Sequence, residues 1–167
     1  GRGARFRSPR GVEVIDESYN ANPASMAAAF GVLGRSKPAN GGRRIAVLGD
    51  MLELGADSAG LHARIGRMAA TSGADVILFC GGEMHAAYTA ASALESAGGL
   101  AADDSRGGIE IVQRHQRRAD LFGHGGDGAE GKDAANRSAE KRPIVVAVSQ
   151  GGSTLFAKQR AAEIRQL

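Results

Sequence analysis

Between Asp16 and Asn22 the stretch DESYNANPASM (16–26) gathers two carboxylates, two hydroxyls and two amides within seven positions, ending against Pro23. A carboxylate at the end of a strand can accept both hydroxyls of a ribose, and each asparagine amide offers a donor and an acceptor. That is the chemistry of nucleoside recognition, with Asp16, Asn20 and Asn22 as its candidates. The same residue types also build turns and caps: Asn22 stands where it would cap a helix opened by Pro23, and Asp16 where it would shape a turn. A second acid-bearing loop, GDMLELG (49–55), follows the next apolar run and offers Asp50 and Glu53. In open parallel sheets ligands collect beyond the carboxyl ends of the strands. Two neighbouring strand ends that both carry acids therefore read as a site, although acids are common in loops of every kind.

The elements that must position these residues follow from periodicity. Nearly continuous Val- and Ile-rich runs fall at 12–16, 44–49, 75–79, 109–112 and 143–148, as expected of strands buried on both faces. Helical patterns lie between them. PASMAAAFGVLGR starts behind the Asn22 cap, and SAGLHARIGRMAATSG sets Leu61, Ile65, Met68 and Ala69 on one stripe before Gly73. EMHAAYTAASALESAGG, RHQRRADLF and STLFAKQRAAEIRQL complete the set. Strand and helix alternating in this way predict an α/β class fold, a doubly wound, mostly parallel sheet. Residues 123–142 break the order: Gly-rich, charged and almost without large apolar side chains, they read as a flexible insertion.

Composition limits the function classes. With 167 residues, 43% apolar and 23% charged, the chain suits one globular domain. Aromatics are 4% and tryptophan is absent, which disfavours an aromatic-lined sugar or single-strand groove. The net charge of +3 comes from scattered basic residues, so a nucleic-acid face is not expected. No run approaches the ~18 apolar residues of a membrane span, and a cytoplasmic setting is expected. The single Cys80, inside DVILFC, reads as a buried structural thiol. The chain opens without methionine and is expected to be a piece of something longer.

Other motifs lead nowhere. GDGAEGKD (126–133) has the spacing of a phosphate loop, but places Asp where Ser or Thr must hold magnesium, and it follows no buried strand. His62, His85, His115 and His124 lack metal-ligand spacing and are expected on the surface or on helix faces. There is no G-x-S-x-G elbow, and no G-x-G-x-x-G between the first strand and helix, so a free-standing dinucleotide-binding domain has little support.

VIDESYNANPASM, then RRIAVLGDMLELG, then LHARIG together resemble the C-terminal domain of the Mur ligases, in particular the members that add D-alanyl-D-alanine. The likeness covers residues 1 to about 100, and its two main elements stand about thirty residues apart. It implies the third, Rossmann-like domain of an ATP-dependent ligase of peptidoglycan synthesis. Such a ligase activates UDP-N-acetylmuramoyl-tripeptide as an acyl phosphate and joins D-alanyl-D-alanine to it. The N-terminal UDP-sugar domain and the central domain, with the ATP phosphate loop and the Mg2+ ligands, have no counterpart in this chain. By the same likeness Arg2 and Asp16 would hold the ATP ribose, Asn20 and Asn22 would lie against the adenosine, and Tyr19 and Pro23 would shape the pocket. Asp50 and Glu53 would face the dipeptide or the phosphates. No catalytic residue and no metal ligand is expected here, and the chain alone should be inactive. One departure stands out. Where the family has a VKGS-like turn after the last strand, this chain reads VVAVSQGGSTLFAKQ, which leaves Ser149 and Ser153 as possible donors at a helix N-terminus. A non-catalytic module that keeps the fold is the alternative.

Overall fold

The structure is a computed structural model and describes residues 3–7, 11–17, 20–97, 110–114 and 144–148. Six strands, β1 (Ala4–Arg7), β2 (Glu13–Asp16), β3 (Arg44–Gly49), β4 (Val76–Cys80), β5 (Glu110–Arg114) and β6 (Ile144–Val148), form one sheet in the order β1-β2-β6-β3-β4-β5. Among the described strands only the β1–β2 pair is antiparallel; β2–β6, β6–β3, β3–β4 and β4–β5 are parallel. The parallel class holds as expected, and each of the five apolar runs lies on a strand to within a residue or two. The first edge strand was not expected. It is a charged ARFR segment in which only Phe6 turns toward the core, so it carries no apolar run to recognise.

Helices α1 (Pro23–Arg35), α2 (Ser58–Ala70) and α3 (Met84–Ser96) connect successive strands. Along α1, Met26, Ala29, Phe30 and Leu33 recur at three- and four-residue spacing and are buried. The helix stops at Ser36, whose N–H donates to the Leu33 carbonyl, two residues before Pro38. Alternation along the strands divides the core. Ile15, Ala46, Leu48, Ile77 and Phe79 join the buried residues of the three helices, while Val14, Val47 and Cys80 are buried on the opposite face. Cys80 is a buried free thiol, as its setting predicts. Helix α2 ends at Ala70 with Thr71 as its C-cap, and Gly73 takes the left-handed conformation (φ 79°) just beyond.

The helix pair α2–α3 has the most extensive interhelical packing among the described elements. It is close because Gly66 and Ala87 face each other at the crossing, both fully covered. Among the described residues no helix is long and apolar enough to cross a membrane. Arg114, where a helix over 114–122 was expected to begin, is instead the last residue of β5; residues 115–122, the candidate helix at 153–167 and the 123–142 insertion lie outside the described residues.

Candidate functional site at the carboxyl edge of the sheet

Because β2, β6, β3, β4 and β5 run parallel, their carboxyl ends share one edge, and both acid-bearing loops are found there. Asp16 is the last residue of β2, half-buried, with its backbone carbonyl accepting from the Gly3 N–H at 3.1 Å. Asn20 is exposed. Asn22 is the N-cap of α1: its Oδ1 accepts from the Ser25 N–H at 2.9 Å, and Ser25 Oγ accepts from the Asn22 N–H at 3.0 Å. The Ser25 hydroxyl also reaches the Asn20 carbonyl at 2.9 Å, which ties the two asparagines into one cap. Pro23 opens the helix, where a missing N–H costs nothing. The capping role of Asn22 is therefore observed, and it fixes the entry of α1 next to Asp16.

The second loop is not the immediate neighbour that its place in the sequence suggests. Strand β6 lies between β2 and β3, with Asp16 opposite Ala147 and Leu48 opposite Val148. At the usual interstrand spacing this separates the two strand ends by about 10 Å, with β6 between them, so they are not in contact. Strand order depends on pairing across the whole chain, so loop spacing could not reveal it.

Asp50 caps α3. Its Oδ1 accepts from the Met84 N–H at 2.9 Å, while Glu83, the N-cap residue itself, makes no side-chain capping bond. Gly81, in the left-handed half of backbone space (φ 126°), leaves the room this requires, since a Cβ there would run into the Asp50 carboxylate. Burial holds the Asp50 carboxyl above its ordinary range by desolvating the charged form; the hydrogen bond from the Met84 N–H opposes this. A carboxyl raised on folding adds stability below its unfolded value and loses it as pH rises through its folded value. Asp50→Asn keeps an oxygen for the Met84 N–H and removes the charge. The variant should melt at the same or a higher temperature than the parent at pH 7, with the difference vanishing as the pH falls toward the acid range. Thermal melts across that range check it.

The rest of the loop is held from below. Met51 is buried, and its N–H donates to His62 Nε2 at 3.1 Å. His62 Nδ1 lies 2.8 Å from the Ser58 carbonyl, and Ser58 Oγ donates to Glu83 at 2.9 Å. His62 lies on a face of α2, as one of its two expected positions allows, but that face is buried and the residue is 0% exposed rather than on the surface. A lone histidine gives no sequence signal of that kind; the only hint is its place one residue after Leu61, within the apolar stripe of α2. His85 is exposed on α3, with Nδ1 3.1 Å from Gln113 Oε1. Leu52 is 49% exposed and Glu53 adopts a left-handed backbone (φ 61°), a conformation that costs a non-glycine residue about 1–2 kcal/mol. Arg2, Tyr19, Ser149, Ser153, His115, His124 and the 126–133 segment lie outside the described residues. Among the described residues no three His, Cys, Asp or Glu side chains gather as a metal site.

A mostly parallel sheet with α-helical crossovers and polar loops at its carboxyl edge defines a Rossmann-like α/β domain. The Mur ligase glutamate ligase domain matches residues 1–133, and the chain belongs to that family. It is 44% identical over 77 residues to the UDP-N-acetylmuramoyl-tripeptide--D-alanyl-D-alanine ligase of Escherichia coli K12, a match that covers 46% of this chain and 16% of that one. Its fold resembles MurF from Acinetobacter baumannii (TM-score 0.68, 21% identity, 100% of this chain and 30% of that one). It also resembles the MurF ligase from Thermotoga maritima in complex with ADP (TM-score 0.61, 18% identity, 99% of this chain and 31% of that one). The chain thus spans less than a third of the length of the relatives it matches.

Proposed function

We propose that this chain is the C-terminal, nucleotide-closing and D-alanyl-D-alanine-presenting domain of an ATP-dependent ligase that extends UDP-N-acetylmuramoyl-tripeptide. The observation that carries this reading is the pairing of the Asn22-capped turn and the GDMLELG loop at one carboxyl edge, two strands apart, in a Mur ligase chain. The donor set fits a nucleoside: Asp16 is a half-buried acceptor at a strand end, beside the exposed Asn20 and the N-terminus of α1. In this reading Asp16 accepts from the ribose hydroxyls and Arg2 donates to them, while Asn20 and Asn22 line the adenosine beside Tyr19 and Pro23. ATP, with Mg2+ held mainly by the central domain, supplies the phosphoryl group that activates the tripeptide carboxyl. Asp50 and Glu53 face the dipeptide or the phosphates, as Ser149 and Ser153 would from the β6 side. The stability cost of an ionised Asp50 supports a ligand role, because asparagine would cap α3 without it. The contribution of such a domain is closure and orientation, so a small displacement of either loop lowers the rate steeply.

Mixing this chain with the separately produced N-terminal and central portions of a related ligase tests the reading. ADP release should then depend on both UDP-N-acetylmuramoyl-tripeptide and D-alanyl-D-alanine. Asp16→Ala should lower nucleotide use by about 10- to 100-fold, the usual worth of charge-assisted hydrogen bonds, with circular dichroism reporting that the variant folds. Silence from a folded wild-type chain would favour a non-catalytic module and point to the altered VSQGGS turn.

A further inference from the structure

We infer that His62 is a positioning residue that sets the conformation of the 50–54 loop, so that Leu52 and Glu53 are presented outward at a fixed angle. The ligand this serves rests on the ligase reading above; the mechanical link does not. Met51 N–H can only donate, so His62 Nε2 must offer its lone pair across the 3.1 Å separation. The Ser58 carbonyl can only accept, so Nδ1 carries the proton across 2.8 Å. Both ring nitrogens are thereby assigned, and the ring bridges the loop after β3 to the first turn of α2. The imidazole is 0% exposed, so no water replaces either bond.

The loop is pinned on both sides of its outward-facing residues. Before them, Asp50 holds the N-terminus of α3, and Met51 is fixed by its buried side chain and by the histidine. After them, Leu54 packs on the core. Between these anchors stand an exposed Leu52 and a left-handed Glu53. A non-glycine residue keeps that backbone only where its surroundings over-determine it, and the Met51–His62 bond lies two residues away. Ser58 Oγ carries the connection on to Glu83 at 2.9 Å, so the loop, α2 and α3 share one polar bridge.

The test uses His62→Leu, which fills similar volume without polar atoms, and His62→Gln, whose amide oxygen can still accept from the Met51 N–H. Amide exchange measured by NMR on the 167-residue chain should quicken about tenfold or more at Met51, Leu52 and Glu53 in His62→Leu. Ile77 and Phe79 in β4 should hold their protection, and His62→Gln should stay close to the parent. The long-range 15N spectrum of the parent should show His62 protonated on Nδ1. In the mixed ligase, His62→Leu should raise KM for D-alanyl-D-alanine more than it lowers kcat. Exchange at Leu52 and Glu53 unchanged in His62→Leu, or quickened equally across the whole domain, would overturn the inference. An inactive wild-type mixture would sink the ligase reading while the exchange data still decide the role of His62.

Discussion

Gly66→Ala lowers the stability of the domain by about 3 kcal/mol or more, read as a shift in the urea midpoint at constant m. The added Cβ would lie 2.7 Å from the carbonyl carbon and 2.8 Å from the Cα of Ala87, and would overlap the Ala87 oxygen as well. These are backbone atoms of α3, and no rotamer change relieves them. One helix must move off the other, which opens the packing of Ile65, Ala69, Met84 and Ala91 behind the contact. The intrinsic helix preference of alanine works in the opposite direction by about 1 kcal/mol, so a net stabilised variant would show that the two helices are not held this closely. Gly60, on the same helix with open space around it, is the control: alanine there should be neutral or mildly stabilising.

Asp75→Ala should cost about 2–3 kcal/mol, at the opposite end of the sheet from the site. Asp75 Oδ2 accepts from the Arg44 N–H at 2.7 Å, and its carboxylate lies 3.5 Å from the guanidinium, whose side chain is 9% exposed. The return bond, from the Asp75 N–H to the Arg44 carbonyl at 2.8 Å, closes the pair and sets the register in which β3 meets β4. Removing the carboxylate leaves a covered cation and a backbone donor without their acceptor. Asp75→Asn keeps the backbone bond and should lose only about half as much. Equal losses for the two substitutions would show that charge alone matters.

How far the sequence foretold this domain depends on the range of the interaction. Local signals were legible: the Asn22–Pro23 start of α1, the apolar spacing of Met26, Ala29, Phe30 and Leu33, and the Val- and Ile-rich strands. Strand β1 was hidden because an edge strand with one inward side chain has no period to detect. The cap of α3 was hidden because its acceptor, Asp50, lies 34 residues before the N–H it serves. At the candidate site, the acids and asparagines were named by type and by the family likeness. The buried place of His62 was not legible, since its partners come from two other segments. The spacing of the two loops was misjudged for the same reason, as the strand between them comes from residues 144–148.

The position of β6 has a consequence for how the chain comes together. Among the described residues the last strand in sequence fills the middle of the sheet, between β2 and β3. Until residue 144 is available, the nascent chain has two unpaired parallel edges facing each other across an empty slot, and neither can close on the other without losing register. Assembly therefore waits on a pairing between residues as far apart in the chain as Glu13 and Ile144. That makes the domain slow to mature, vulnerable to edge-to-edge association while it waits, and intolerant of any truncation that reaches Ile144.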